Sequence, residues 1–561
     1  MNVWHVHPAD PARAASLARA LGIRALTAQL LLNRGVRDPE DGARFLHPAL
    51  PALGDPLALS GMARGVARIR RAVRACEPIL IFGDSDVDGL TASVILYETL
   101  RGLGASVRAT PSNRIEDGYG LPRAAVERIG GSATKLLILV DCGTNQSDDV
   151  RWLAEHGIDT IIVDHHVPLR EWARPYALIN PHHDGSVGRE LCSAGLAFKV
   201  AQALSEGKAA DRLAGLLDLA ALATLADCSR LVGESRVLVA EGLPRIVASH
   251  RPGLRRLCEA TGTVSPDPDQ IVRRLIPRLN ASGRLGDPSA VWHLLHSGEP
   301  DRVEAWMADA ETAHETTKEL RRQMIGEARE QVNRIHFKDQ FVMVISRSGW
   351  HQGLMGPLAS QLAQQYGRPA IAIAMDEHQG TGSGRSVPRF NLLEALQACE
   401  GMLRRFGGHA QACGLTVDRK HLDAFRERIN EEARRTLGRD GLVRTKTADV
   451  ELTLEALELR WVEETSRLAP FGYGNPRPTA LIRRLRLEQA SPRTGVLSDG
   501  TTRMAARGSF AALVVGEWYD VLATPAAEAG ELTLLVSDAR GAAEPSAPGL
   551  SAGTPCRPAS A

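Results

Sequence analysis

The stretch Gly83-Asp84-Ser85-Asp86-Val87-Asp88-Gly89 sets the tightest limit on what this chain can fold into. It follows Pro78-Ile79-Leu80-Ile81-Phe82, an apolar run that reads as a buried strand. It precedes Leu90 to Tyr97, which has helical spacing. The acidic cluster therefore lies on a strand-to-helix turn, where ligands bind in open α/β sheets. Three carboxylates on alternate residues raise one another's pKa unless a cation neutralises them. Oxygen donors of this kind suit a hard divalent ion such as Mg²⁺ or Mn²⁺. A calcium loop fits less well, because the remainder of an EF-hand is missing and a strand leads in where a helix should.

The same pattern recurs from residue 78 to about 230. Apolar runs at Ile79–Phe82, Lys135–Val140 and Ile158–Val163 read as buried parallel strands. The first ends in the acidic cluster, the second in Asp141-Cys142-Gly143 and the third in Asp164-His165-His166. Metal-ligand residues at three successive strand ends are hard to produce by chance. A helix from about Ala214 to Ala226 then stops at Asp227, a carboxylate at the unfavourable end of a helix dipole, and a nearby cation would account for it.

Composition narrows the classes. A chain of 561 residues predicts several domains, and its formal net charge of +1 supplies no global basic field. A polyanion must then be gripped by local patches and metals. Eight cysteines at 76, 142, 192, 228, 258, 399, 413 and 556 contain no CxxC pair, which predicts reduced thiols in a cytoplasmic protein and no zinc ribbon. The N-terminus has no apolar leader and no stretch approaches eighteen uninterrupted apolar residues, so a soluble protein with no membrane segment is expected.

Outside the acidic domain the chain reads as follows. Short helices at Ala15–Leu21, Ala25–Leu32, Asp41–Leu46 and Met62–Val73 make residues 1–75 a helical cap on the next domain. Val303, Trp306, Met307, Ala310, Ala313, Leu320 and Met324 fall at near-helical spacing, predicting one long amphipathic helix that bridges two globular halves. Phe341–Ile345, a helix over Leu354–Tyr366 and a strand over Pro369–Ala374 open a second α/β domain. Gly382-Ser383-Gly384-Arg385-Ser386 reads as a glycine-rich loop whose amides and guanidinium would cradle a phosphate. Gly407-Gly408-His409 reads as another turn. Stretches Arg483–Leu487, Ala511–Val515, Tyr519–Ala523 and Leu532–Val536 suggest a small barrel. Its few aromatics, mainly Phe510, Trp518 and Tyr519, give little stacking surface for a single strand. Residues 541–561 are rich in Ala, Pro, Ser and Gly and read as disordered.

Taken in order, Asp84/Asp86/Asp88, Asp141, Asp164-His165-His166 and Asp227 resemble motifs I to IV of the DHH phosphoesterase superfamily. Arg278 to Leu285 (RLNASGRL) resembles the segment before the connecting helix in its single-strand exonuclease branch. Gly349-Trp350-His351-Gln352-Gly353, Gly382 to Ser386 and Gly407-Gly408-His409-Ala410 resemble the DHH-associated domain. Pro470 to Pro476 resembles the join to an OB-like domain. Ser85 departs from the superfamily, which has an aromatic residue there, and Cys228-Ser229 replace a more apolar pair.

The resemblance implies an α/β fold in six parts: a cap (1–75), a parallel-sheet DHH catalytic domain (76–235), a helical region with a long connecting helix (236–335), a DHH-associated α/β domain (336–445), an OB-like β-barrel (446–540) and a tail (541–561). It implies a metal-dependent 5′→3′ exonuclease on single-stranded DNA, in repair and recombination. A helicase and a single-strand-binding protein are its implied partners, and the protein is expected to be a monomer. The alternatives are a DHH phosphodiesterase on short oligonucleotides or cyclic dinucleotides, and a catalytically inert DNA-binding scaffold. The extra C-terminal module favours a polymer substrate, and the intact acidic set argues against an inert protein, since unused buried carboxylates are costly.

Two divalent ions, Mn²⁺ or Mg²⁺, would activate water and clamp both oxygens of a phosphoryl displacement. Asp141, on the central strand between the flanking clusters, is the expected bridge. Asp84 and Asp86 are placed on one side and Asp88, His165 and Asp227 on the other. His166 is expected to contact substrate phosphate or donate a proton to the leaving oxygen, and Asp164 to support a histidine. Asp86, Asp88, Asp141, His165 and His166 form the expected catalytic set. Arg114, Arg284, Ser383 and Arg385 match the 5′-phosphate pocket that the resemblance implies, and His409 is expected to bind substrate phosphate.

Overall fold

The computed structural model describes residues 3–113, 115–116, 126, 134–168, 171–185, 187–205, 210–296, 299–337, 340–438, 442, 444–528 and 530–544. Five parallel strands, in the order Val107–Pro111, Ile79–Gly83, Leu136–Val140, Asp159–Val163, Ala177–Ile179, make the first sheet. Its three middle strands are apolar because both faces are covered. Helices Met62–Arg74, Val87–Gly102, Ser193–Leu204 and Leu217–Ala226 lie in one core with Ile79, Ile81, Ile138, Val140 and Val163. Leu80, Phe82, Leu137, Leu139 and Ile162 pack on the other side with Val150 and Leu153.

Register decides where the chemistry emerges. Gly83 pairs with Val140, Val140 with Val163, and Val163 with Ile179. The next residue of each strand, Asp84, Asp141, Asp164 and Asn180, therefore leaves the sheet at one level of its carboxyl edge. Leu136–Val140 is the central strand, which places Asp141 between the acidic turn and the two histidines.

The helix Val303–Val332 connects two cores. Its 30 residues span about 45 Å at ~1.5 Å per residue. Val303, Trp306, Met307 and Ala310 belong to the first core, and Met324, Ala328 and Val332 to the second. The second core is built on a five-stranded sheet ordered Leu403–His409, Ala412–Asp418, Gln379–Arg385, Ala370–Met375, Met343–Ser348.

Here two sequence expectations fail. Residues 382–385 are not a loop but part of the strand Gln379–Arg385, laddered on both sides, so their amides are not free to cradle an anion. The glycines are there for packing. A Cβ at Gly380 would lie 2.5 Å from Ile373 Cγ2, one at Gly382 2.8 Å from the Ala372 carbonyl oxygen, and one at Gly384 2.6 Å from Leu392 Cδ2. Alternation then sends Thr381, Ser383 and Arg385 to the opposite face. Gly407-Gly408-His409 likewise ends a strand, and the turn is Ala410-Gln411.

A second compact unit gathers the described residues of 2–46, 445–469 and 476–561. The helices Pro11–Leu21, Ala25–Asn33 and Pro39–Leu46 therefore belong with the C-terminal barrel rather than capping the next domain. Strand Val3–Val6 pairs in parallel with Thr445–Ala448. The buried Arg34 guanidinium meets Asp449 at 3.0 Å. Neither contact leaves a local sequence signal. The barrel strands are Ala480–Ala490, Thr494–Ser498, Arg503–Arg507, Glu531–Gly541 and Trp518–Glu528, the last pairing back with the first to close the ring. Ala511–Val515, expected as a strand, is instead a turn with Val514 and Val515 exposed. The barrel strands Thr494–Ser498 and Arg503–Arg507 carry no apolar run, their exposed positions being Thr494, Arg503, Ala505 and Arg507. The tail from 545 onward and Arg114 lie outside the described residues. Among the described residues no single helix is long and apolar enough to cross a membrane.

Candidate metal centre and phosphate pocket

The acidic turn owes its shape to Asp86. As N-cap of the helix Val87–Gly102, it accepts from the amides of Asp88 at 3.0 Å and Gly89 at 3.3 Å. Asp84 accepts from the Ser85 amide at 2.7 Å and the Ser112 hydroxyl at 3.2 Å. The segment Asn280 to Gly283 closes over this turn. Asn280 Oδ1 accepts from the Val87 amide at 3.2 Å, and a Cβ at Gly283 would fall 2.2 Å from the Ser85 carbonyl oxygen. Asp141 holds a left-handed backbone, φ 60°, as does Cys228 beside Asp227, φ 56°. Non-glycine residues take that conformation only where the surroundings impose it, and such residues cluster at functional sites.

The expected metal residues converge. Asp84, Asp86 and Asp141 form one group of potential ligand atoms, Asp88, His165 and Asp227 a second, and Asp141, His165 and His166 a third, each with its atoms within 4.8 Å of one another. His165 Nε2 lies 3.5 Å from Asp141 Oδ1 and 3.9 Å from both Asp88 Oδ2 and Asp227 Oδ1. Asp227 caps the C-terminus of Leu217–Ala226 and accepts from the Ser229 hydroxyl at 2.7 Å.

Electrostatics agree with a site built for cations. Burial, then the charge of Asp227, pushes the Asp88 carboxyl up to about 6. Burial, then Asp88, holds Asp141 well above the usual carboxylate range. Asp164 behaves oppositely: burial opposes its ionisation, but His166 outweighs burial and holds it well below that range. Its Oδ1 takes His166 Nδ1 at 2.7 Å and the amides of His165 at 2.8 Å and His166 at 3.2 Å. Burial would lower His166, yet Asp164 raises it to about 9. His165 is also raised, Asp227 and Asp88 outweighing burial. Buried like charges with raised pKa values at ligand spacing are the donor set a hard divalent ion neutralises. The residues present fit such an ion.

Sequence reasoning missed the layer behind these ligands. Asp88 is gripped by the N-terminus of the helix Ser193–Leu204, with Oδ2 accepting from the Ser193 amide and Oδ1 from the Ala194 amide, both at 2.8 Å. The Ser193 hydroxyl donates to Asp141 Oδ1 at 2.9 Å. Buried Asn180 ties the strand ends together, donating to the His166 carbonyl at 2.9 Å and Thr144 Oγ1 at 3.2 Å. An Asn directly after an apolar run, Ile179-Asn180, was the available signal.

Two of the residues expected to bind phosphate lie together. Ser383 and Arg385 share a face, with Arg385 Nη1 donating to Ser383 Oγ at 3.0 Å. Burial lowers the Arg385 pKa from its usual value. A Cβ at Gly356, in the first turn of the helix Met355–Tyr366, would sit 3.1 Å from Arg385 Nη2. One at Gly353 would fall 1.9 Å from the Arg284 carbonyl oxygen. These two glycines let the Arg284 backbone and the Arg385 guanidinium come close to the start of the helix Met355–Tyr366, whose amide dipoles favour an anion. His409 reaches the metal centre, its ring stacking on His166 at 5.7 Å between centroids. Burial, then the charge of His166, lowers its pKa.

Comparison with known proteins matches this architecture. The DHH family N-terminal domain matches residues 78–224, the DHHA1 domain 339–435 and the RecJ OB domain 448–496. The chain is thus a DHH-family protein with a C-terminal OB domain. The single-stranded-DNA-specific exonuclease RecJ of Dickeya dadantii is 33% identical, over 81% of this chain and 83% of that protein. The RecJ of Bacillus subtilis is 34% identical over 86% of this chain, and the chain spans 62% of that protein's length. The crystal structure of RecJ from Thermus thermophilus in complex with Mn²⁺ superposes with a TM-score of 0.82 at 28% identity, covering 97% of this chain and 80% of that one. The Mg²⁺ complex of the same protein gives 0.77 at 27% identity, covering 97% and 79%. The chain belongs to the RecJ family.

Proposed function

We propose that this protein is a metal-dependent 5′→3′ exonuclease that degrades single-stranded DNA by phosphodiester hydrolysis in repair and recombination. The observation that carries the reading is the convergence of Asp84, Asp86, Asp88, Asp141, His165 and Asp227 at the carboxyl edge of one sheet, with His409 of the second sheet stacked on His166.

Asp84, Asp86 and Asp141 would hold one divalent ion, Mn²⁺ or Mg²⁺, and Asp88, Asp141, His165 and Asp227 a second. When bound, such a pair supplies an activated water and stabilises charge on the attacked phosphate. The chain's own residues do the rest. Asp164 keeps His166 protonated, so that Nε2 faces the leaving oxygen with a proton to give. His409, held neutral, hydrogen-bonds a phosphate oxygen beside it. Arg284, Ser383 and Arg385 receive the terminal 5′-phosphate at the start of Met355–Tyr366, and Arg114 is assigned to the same pocket from its sequence context. An end held there by charge sets the polarity of degradation. Contacts of this kind read backbone and not base, so sequence preference should be small and salt should weaken binding. The OB-like barrel supports a polymeric substrate over a dinucleotide. We also place the enzyme in the cytoplasm as a monomer, working on strands exposed by a helicase and coated by a single-strand-binding protein.

Incubating the protein and Mn²⁺ with end-labelled single strands and blunt duplex of the same sequence tests the reading. Mononucleotides released from the 5′ end of the single strand only are expected; equal digestion of duplex, or release from the 3′ end, would overturn it.

A further inference from the structure

We infer that Ser193 is a positioning residue of the metal centre, its hydroxyl fixing the Asp141 carboxylate in the orientation that cation binding requires. The inference rests on the proposed divalent centre and concerns a side chain that stands behind the ligands.

Ser193 is fully buried and opens the twelve-residue helix Ser193–Leu204. Its amide holds Asp88 Oδ2 at 2.8 Å, and its hydroxyl holds Asp141 Oδ1 at 2.9 Å. One residue thereby ties a ligand in the first turn of Val87–Gly102 to a ligand that directly follows the strand Leu136–Val140. Ser112 makes a like contact to Asp84, its hydroxyl donating to Oδ1 at 3.2 Å, whereas buried hydroxyls inside the neighbouring helices bond locally. Thr91, Ser93 and Thr224 all donate to carbonyl oxygens one turn back on their own helices. At the first position of its helix Ser193 has no preceding turn to bond to, and its hydroxyl is turned outward to the carboxylate.

Asp141 needs such a partner. Its backbone is left-handed, its side chain is buried, and its Oδ1 is also 3.5 Å from His165 Nε2. A charge-assisted hydrogen bond on Oδ1 fixes the carboxylate plane and so settles which lone pairs remain for a cation. Groups that orient metal ligands in this way typically cost ~10–100-fold in metal affinity when removed. The serine amide and the Ala194 amide persist in any substitution, so Asp88 stays anchored and the effect is confined to Asp141.

The test measures Mn²⁺ binding to the full chain by calorimetry and by the electron paramagnetic resonance spectrum of the bound ion, for the wild type and for Ser193→Ala, Ser193→Gly and Ser193→Thr. Thermal melting of the metal-free proteins identifies which variants are folded, and glycine carries the comparison if alanine is not. The expected result is a loss of about tenfold or more in affinity for at least one Mn²⁺ in the alanine and glycine variants, with an altered spectrum. Ser193→Thr, which keeps the hydroxyl, should bind more tightly than Ser193→Ala. A purely structural serine would give the reverse order, because threonine adds a methyl group to a filled site. Affinity within twofold of wild type in the folded alanine or glycine variant, or weaker binding by threonine than by alanine, would overturn the inference. Absence of Mn²⁺ binding by the wild type would instead overturn the proposed centre, and the inference with it.

Discussion

His166, from the first sheet, and His409, from the second, lie ring over ring with centroids 5.7 Å apart and planes inclined by 13°. Two domains separated by a 30-residue helix thus meet at the proposed site of reaction. The pair is electrostatically asymmetric. Asp164 raises His166 to about 9, while burial and then His166 lower His409. In the proposed mechanism the first ring would give a proton and the second would act as a hydrogen-bonding partner.

The proposed phosphate pocket predicts a substrate-dependent effect. Arg385→Ala should slow cleavage of a 5′-phosphorylated strand by about tenfold or more, since a charge-assisted contact is worth ~1.5–3 kcal/mol. A 5′-hydroxyl strand should suffer much less. Comparing kcat/KM on the two substrates checks this, and equal losses would assign Arg385 to the fold or to general backbone binding.

Close packing against the acidic turn predicts a sharp glycine effect. The Cβ of Gly283→Ala would lie 2.2 Å from the Ser85 backbone oxygen, so the turn carrying Asp84, Asp86 and Asp88 must move. A fall in melting temperature and a loss of activity of at least tenfold are expected, the barrier rising by ~1.4 kcal/mol or more. Gly326→Ala, in the connecting helix with open space around it, should be neutral or stabilising by up to ~1 kcal/mol.

What could be read in advance follows from where the information lies. Asp84, Asp141 and Asp164 were legible at the sheet edge because each stands at the end of a short apolar run, and a run of that kind dictates a buried strand whose next residue emerges there. The long helix was legible because its periodicity is local. The role of Ser193 was not, because it acts partly through its amide and its partners lie 52 and 105 residues away. The glycines at 380, 382 and 384 suggested a loop, since a sequence does not reveal that Ile373, Ala372 and Leu392 press on the opposite strand face. The attachment of Pro11–Leu46 to the C-terminal unit depends on pairing across more than 400 residues, Val3 with Thr445 among them.

A buried charge network predicts acid sensitivity remote from the reaction. Arg251 is fully buried and pairs with Glu98 at 2.6 Å and Asp218 at 3.1 Å. Burial opposes ionisation of Glu98, but hydrogen bonds from His296 and Arg251 outweigh it and lower its pKa to about 2. A carboxylate depressed in the folded state contributes stability that is present above its unfolded pKa of 4.5 and is lost as pH falls toward 2. Glu98→Gln should therefore lower the melting temperature at pH 7, and the gap to wild type should narrow steadily below pH 4.5. A gap that stayed constant with pH would contradict the assignment.

Asp141 would serve both divalent ions of one centre, and Mn²⁺ stoichiometry in Asp141→Ala tests that most directly. Calorimetric titration of the wild type should give two Mn²⁺ ions. The variant should lose high-affinity binding of the second ion together with hydrolysis of single-stranded DNA, while the metal-free protein keeps its cooperative melt. Two intact Mn²⁺ sites in Asp141→Ala would contradict the account.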